Sequence, residues 1–206
     1  MVLVGAGGGN RFGGPKTLAT LGGVTLLEHC ARAFASLPDR VAVLRAEDCA
    51  RVKLEGWCIV SGGARRRDSV ACGLAALGPD TDHVLVHDVA RPLVGSELIA
   101  RVQAAVVETG AAIPVVPLVD TVKQIAEGEV VGTPDRSTLA AAQTPQGFLL
   151  ALLRRALAAS TRDATDDAGL VEELGLPVAA VAGDRRNLKI TSPDDLIVAE
   201  RWMSAG

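Results

Sequence analysis

Residues 5 to 16 concentrate the features of an anion site. Gly5-Ala6-Gly7-Gly8-Gly9-Asn10-Arg11-Phe12-Gly13-Gly14-Pro15-Lys16 follows a short apolar run, Val2-Leu3-Val4. Glycines let a backbone come close to an anion and aim successive N–H groups at it. Arg11 and Lys16 add two cations to the same loop, a combination suited to a polyphosphate. Two familiar phosphate motifs do not fit. A dinucleotide fingerprint from Gly5 needs Gly where Asn10 stands, and one from Gly7 needs Gly where Phe12 stands. A Walker A loop needs Lys directly after its last Gly, and Pro15 separates Gly14 from Lys16.

Other groups carry chemistry further on. His87-Asp88 follows the run Val84 to Val86. Ligands in open α/β sheets bind beyond the carboxyl ends of strands. An acid there can hold Mg²⁺ or nucleotide hydroxyls; it can equally cap the next turn or pair with Arg91. Arg65-Arg66-Arg67-Asp68-Ser69 opens a helix whose apolar residues are Val70, Leu74 and Leu77. Successive helical residues point in different directions, so three arginines cannot all face one ligand. A solvated basic turn is expected of at least one. Thr121, Lys123 and Arg136 sit where charged and polar residues are usually solvated. Thr165-Asp166-Asp167 has the form of a helix cap, and Lys189 that of a surface lysine.

The elements that must position these groups alternate. Val2 to Val4, Val41 to Leu44, Ile59 to Val60, Val84 to Val86, Ile113 to Val116 and Val178 to Val181 read as strands covered on both faces. Helices lie between them. Thr25 to Glu28 has the form of a capping box, Ser96 can cap a helix that stops near Gly110, and Ser192-Pro193-Asp194-Asp195 opens another. Such alternation implies a Rossmann-like α/β domain with a mostly parallel sheet, spanning residues 1–206. One stretch departs from it. From about Asp120 to Thr144, strand-like pieces Thr121 to Ile125 and Glu129 to Val131 flank Glu127-Gly128, which predicts an inserted β-hairpin arm.

Composition excludes several function classes. The formal net charge is −3, so no polycationic surface is available for nucleic acid. Aromatic residues are 2%, with no Tyr, which removes most platforms for stacking bases. Cys30, Cys49, Cys58 and Cys72 form no C-x-x-C pair, and His29, His83 and His87 show no metal-ligand spacing. No apolar run approaches the ~20 residues of a membrane span, and the N-terminus has no signal-peptide pattern. A cytoplasmic location is expected.

The glycine loop with Pro15-Lys16 resembles the signature of the sugar-phosphate nucleotidyltransferases. Gly62-Gly63-Ala64-Arg65-Arg66-Arg67-Asp68-Ser69-Val70, His87-Asp88-Val89-Ala90-Arg91-Pro92, Asp120-Thr121-Val122-Lys123, Thr144-Pro145-Gln146 and Asn187-Leu188-Lys189-Ile190-Thr191 narrow it. In that order they resemble the 2-C-methyl-D-erythritol 4-phosphate cytidylyltransferase family, over nearly the whole chain. The chain departs from the family pattern at Gly5, at Ala64, and at Val89, where Ala is usual.

The resemblance implies transfer of CMP from CTP to the polyol phosphate, with release of pyrophosphate, in non-mevalonate isoprenoid synthesis. It implies Arg11, Lys16 and Lys189 as catalytic cations. Ala6, Gly7, Gly8, Gly9, Gly62, Gly63, Ser69 and Asp88 would hold the nucleotide, with Asp88 the candidate ligand for Mg²⁺. Arg91, Thr121, Arg136, Thr144 and Thr165 would hold the acceptor. Thr121 and Arg136 would reach it from the neighbouring subunit of a homodimer. An anionic acceptor needs no general base, consistent with cations and no Ser-His-Asp arrangement. The alternatives are a cytidylyltransferase for another polyol phosphate, such as ribitol 5-phosphate, and a non-catalytic nucleotide-binding module. The failed fingerprint disfavours a dinucleotide-dependent oxidoreductase.

Overall fold

The apolar runs become strands of one sheet in the computed structural model, which describes residues 1–7 and 16–204. In chain order the described strands are β1 (Val2–Val4), β2 (Thr20–Leu21), β3 (Val24–Thr25), β4 (Val41–Leu44), β5 (Cys58–Ser61), β6 (His83–Asp88), β7 (Ala111–Pro117), β8 (Gln124–Ala126), β9 (Glu129–Gly132), β10 (Ala140–Ala142), β11 (Gln146–Leu149) and β12 (Ala179–Ala182). The described helices are α1 (Leu26–Ala33), α2 (Ala46–Cys49), α3 (Arg66–Ala75), α4 (Ser96–Thr109), α5 (Leu150–Ala159), α6 (Ala168–Glu172) and α7 (Pro193–Ser204).

The sheet runs β5-β4-β1-β6-β11-β7-β12, and β10 continues the line of β11 along β7. β10 and β11 run antiparallel to their neighbours, and the other main-sheet pairings are parallel. The chain leaves β1 for β4 and β5 on one side, then returns to β6 on the other. This makes the β1/β6 junction the point where strand order reverses, the usual place for a ligand crevice in such sheets. The register puts Val4 opposite Asp88 there.

Alternate strand residues feed two apolar layers. Leu3 and Leu85 pack with α1 and α4 through Leu27, Phe34, Leu98 and Val102. Val2, Val43, Val84 and Val86 pack with α3, α5 and α6 through Val70, Leu74, Leu153 and Leu170. Covering on both faces explains the unbroken apolar runs.

Most helix ends follow the sequence. Thr25 N–H donates to Glu28 Oε2 at 3.0 Å and Glu28 N–H to Thr25 Oγ1 at 3.1 Å, a complete capping box. α4 stops at Gly110, which turns left-handed at φ 80°. Its start differs from expectation: Ser96 is the first helical residue, and Gly95 occupies the cap position without a side-chain bond.

The arm is a β8–β9 hairpin whose turn residues, Glu127 and Gly128, both have positive φ (50° and 86°), as a type I′ turn requires. It is smaller than expected. Thr121 to Lys123 are not strand, and the returning chain rejoins the main sheet at Ala140. β11 is a strand that the apolar runs do not announce. Its pairing carries a bulge: from Ala142 opposite Val115 to Gly147 opposite Ala112, this chain advances five residues while β7 retreats three. The two extra residues re-aim the chain around Gln143 and Thr144, beside the end of β6, where bulges commonly serve a site.

Candidate active site

Strand ends and three tied loops build a cleft of about 270 Å³ at the β1/β6 junction. Gly5 N–H extends the ladder by donating to Val43 O at 2.8 Å, and Thr17 Oγ1 donates to Gly5 O at 2.7 Å. The glycine loop is thereby closed at its base, with Lys16 on its returning limb. Gly8, Gly9 and Arg11 lie outside the described residues. Ala6, Gly7 and Lys16 line the cleft.

The second loop is Gly62-Gly63, after β5. Gly62 N–H donates to Leu44 O at 2.7 Å, and Gly63 N–H to Ser69 Oγ at 3.2 Å. A Cβ on Gly62 would sit 2.5 Å from Ala6 Cβ and 2.6 Å from Ser69 Oγ. Only glycine lets the two loops and α3 meet this closely. Ser69 is 2% exposed, and its hydroxyl also lies 3.2 Å from Arg65 O. Its visible work is to fold the loop.

Asp88 ends β6 between two cations. Arg66 reaches Oδ1 at 3.2 Å and Lys189 reaches Oδ2 at 2.7 Å. Arg66 also holds Asp167 Oδ2 at 2.8 Å. Burial opposes ionisation of Asp88, but Arg66 and Lys189 outweigh it and hold the carboxyl well below the usual carboxylate range. Burial likewise opposes the charge on Arg66, and Asp167 and Asp88 raise its pKa above the ordinary guanidinium value. Burial pushes the Asp167 carboxyl up, against the pull of Arg66. Lys189 is brought here because Ile190 N–H donates to Ala90 O at 2.7 Å, and Lys16 Nζ donates to Ile190 O at 3.2 Å. The third loop thus carries one cation and binds the other.

Behind Asp88 a chain of hydrogen bonds fixes its backbone. Asp88 N–H donates to Thr144 Oγ1 at 3.1 Å, and Thr144 Oγ1 lies 3.0 Å from His87 Nδ1. His87 Nε2 lies 3.0 Å from Arg91 O. Burial lowers the His87 pKa to about 4, so the ring is neutral at pH 7. A carbonyl only accepts, so Nε2 carries the proton and Nδ1 accepts from Thr144.

The structure places the sequence-derived residues unequally. Ala6, Gly7, Lys16, Gly63, Ser69, Asp88 and Lys189 share the cleft, and Gly62 packs behind it. Arg91 is 9% exposed, and its guanidinium donates to Asn187 O at 2.8 Å and Ala142 O at 3.2 Å. Thr144 is buried in the His87 network. Both support the wall of the cleft. Thr165 is exposed and lines a separate hollow with Arg162, Gly169 and Glu172. Thr121 and Arg136 are exposed on the arm segment, where Arg136 Nη1 donates to Val119 O. The three arginines diverge as helical geometry demands. Arg65 pairs with Asp68 at the surface, Arg66 with Asp88 and Asp167, and Arg67 with backbone carbonyls. Thr165-Asp166-Asp167 caps α6, as the sequence suggests, with Asp167 at the cap position. Asp166 supplies the side-chain bond, accepting Gly169 N–H at 3.0 Å, while Asp167 is the buried partner of Arg66.

A glycine loop after β1, a second loop over α3, and cations converging on one carboxylate at the strand reversal define a nucleotidyltransferase. The family model described as 2-C-methyl-D-erythritol 4-phosphate cytidylyltransferase matches residues 1–205, and the chain belongs to that family. A relative of that description from Rhodococcus jostii is 46% identical, the match covering 98% of this chain and 93% of the relative. One from Streptomyces coelicolor is 43% identical over 97% and 82%. The crystal structure of the Thermus thermophilus protein of the same description superposes with a TM-score of 0.87 at 39% identity, covering 99% of this chain and 98% of that one. The Francisella tularensis structure gives 0.83 at 29% identity, over 98% and 97%.

Proposed function

We propose that the protein transfers CMP from CTP to 2-C-methyl-D-erythritol 4-phosphate, releasing pyrophosphate, as a step of non-mevalonate isoprenoid synthesis. The observation that carries this reading is Lys189 on Asp88, beside Lys16 and the two glycine loops, in a chain of that family. A phosphate oxygen of the acceptor attacks the α-phosphorus of CTP. A P–O bond forms there as the bond to the pyrophosphate oxygen breaks. The acceptor phosphate is already anionic, so the task is to offset repulsion between anions and to meet charge growing on the α-phosphate. Lys16 and Lys189, joined through the 189–190 backbone, are the described cations suited to it. Asp88 keeps Lys189 and Arg66 oriented before the phosphates arrive. Gly63 and Ser69 line the cleft with Gly62 packed behind them, and this wall is assigned to the cytosine base.

Magnesium is assigned as an ion carried by the triphosphate. Among the described residues no cluster of three or more His, Cys, Asp or Glu could hold a metal. Mg²⁺ commonly uses one carboxylate plus substrate phosphates, and Asp88 is the carboxylate in reach. Bound there, it would neutralise phosphate charge.

We place the acceptor contacts of Thr121 and Arg136 in a homodimer. The exposed apolar residues of the arm, Ile125, Val130 and Val131, support this, because an isolated hairpin is marginal in water. The four free thiols suit a reducing cytoplasm. Among the described residues no helix is long and apolar enough to cross a membrane.

Pyrophosphate release measured with each nucleoside triphosphate against a panel of polyol phosphates tests the reading. Turnover should require CTP and favour 2-C-methyl-D-erythritol 4-phosphate over ribitol 5-phosphate. Comparable turnover with ATP or GTP would contradict the nucleotide assignment, and binding of CTP without turnover on any acceptor would contradict the enzyme.

A further inference from the structure

Helix α5 ends with carbonyls that have no partner further along the helix, and no basic residue of its own stands in its last turn. An arginine from another helix serves one of them, together with two carbonyls just past the helix end. Arg67, 8% exposed, donates from Nη2 to Leu157 O at 2.7 Å and to Ser160 O at 2.6 Å, and from Nη1 to Arg162 O at 2.7 Å. Arg65 adds a longer bond from Nη1 to Thr161 O at 3.4 Å. At the far end of the same segment, Arg66 holds Asp167 at 2.8 Å. The first turn of α3 therefore clips residues 160–167 at both ends. That turn also carries Ser69, which folds the Gly62-Gly63 loop. Thr165 lies between the clips. Arg67 does not line the cleft, and its described hydrogen bonds go to Leu157, Ser160 and Arg162 rather than to either glycine loop.

We infer that Arg67 is a positioning residue for the acceptor: it locks the start of segment 160–167 to the first turn of α3, so that Thr165 stands at a fixed place relative to the bound nucleotide. This rests on the reading above, in which the cleft takes CTP, and on the acceptor contact that the family resemblance gives Thr165, which lines a hollow of its own beside Arg162 and Gly169. A planar guanidinium with two terminal nitrogens reaches three carbonyls at once, which a lysine ammonium on a flexible stem does not reproduce. A role confined to stability would cap α5 and leave both substrate affinities alone. A positioning role separates them, because α3 is held on the nucleotide side by Asp88 and Ser69 whether or not the clip is made.

The test compares Arg67→Met and Arg67→Lys with the parent, with the Michaelis constants for CTP and for the polyol phosphate measured separately. Amide hydrogen exchange is followed across residues 160–167. For Arg67→Met, the acceptor KM should rise about ten-fold, the weight of one or two charge-assisted hydrogen bonds, while the CTP KM moves by less than about two-fold. Exchange protection should fall in 160–167 and persist in the central strands. Arg67→Lys should lie between the two and covers the case in which the methionine variant does not fold. Unchanged acceptor KM, or acceptor and CTP constants rising together, would overturn the proposal whatever happens to Tm. If the parent itself turns over no CTP with any polyol phosphate, the functional reading fails and the acceptor role with it. The exchange data then still decide the clip, which unchanged protection in 160–167 would refute.

Discussion

Lys189 places its ammonium 2.7 Å from Asp88 Oδ2, although 101 residues separate the two in sequence. The link from Ile190 N–H to Ala90 O and the ending of β6 at Asp88 make this meeting a product of the sheet rather than of local sequence. Asp88 carries its charge because Arg66 and Lys189 outweigh its burial. The same carboxylate thereby keeps both cations where phosphates would bind.

Lys189→Gln is therefore expected to lower kcat by about 10²- to 10³-fold, the usual effect of losing one preorganised charge-stabilising donor. The Lys189 side chain is 45% exposed, and an exposed ion pair contributes only about 0.2–1 kcal/mol to folding. Steady-state kinetics paired with a thermal melt should show a large kinetic loss and a small shift in Tm. Near-normal kcat would remove Lys189 from the mechanism.

Gly62→Ala tests the close meeting of the two loops. The added methyl would lie 2.5 Å from Ala6 Cβ and 2.6 Å from Ser69 Oγ, so the loop must move. The KM for CTP should rise about ten-fold, as expected when binding geometry shifts by a fraction of an ångström, with acceptor KM little changed. Equal effects on both constants would show that this loop does not serve the nucleotide alone.

Much of the fold is legible in the residues themselves. The β-branched runs Val41 to Leu44 and Val84 to Val86 form central strands because both faces are covered. β11 is not legible, because Gln146 and Gly147 are not strand formers. Gly147 is there because a Cβ would collide with Val106 on α4, a tertiary reason no local pattern carries. The cations of the glycine loop are readable from residue type. The partners of Arg67 are not, because they are backbone carbonyls, which every residue has. The cap in Thr165-Asp166-Asp167 is legible and falls to Asp166, whereas the pairing of Asp167 with Arg66 is not, because 101 residues separate the two.

The α7 start gives a pH prediction. Asp195 Oδ2 accepts from Thr191 N–H at 2.7 Å and Ser192 N–H at 2.8 Å. Burial acts against its ionisation, yet these donors with the Thr191 hydroxyl bring the carboxyl down to about 2. A group depressed on folding contributes stability above its unfolded pKa and loses it as pH falls through the folded one. The stabilisation should be full above about pH 5, and should fade between about pH 4 and pH 2. Denaturant melts of the parent and Asp195→Asn should differ by about 1 kcal/mol at pH 7, a typical capping value, and converge by about pH 2. A gap that widens on acidification would contradict this.

The shared-site homodimer is tested by mixing two variants. Arg136→Ala and Lys16→Ala should each be nearly inactive. If Arg136 serves the partner, a mixed dimer has one site with both lesions and one with neither, and about half of one site's activity per chain returns. If Arg136 serves its own subunit, every site keeps one lesion. No recovery, with subunit exchange confirmed by mass, would refute the shared site and leave the chemistry standing.

In the proposed reaction the α-phosphate of CTP passes to the acceptor. CTP labelled at the α-phosphorus, incubated with 2-C-methyl-D-erythritol 4-phosphate and Mg²⁺, should pass its label to the polyol product, while a γ-label should leave in pyrophosphate. Label appearing in free CMP, or γ-label appearing on the acceptor, would contradict the account.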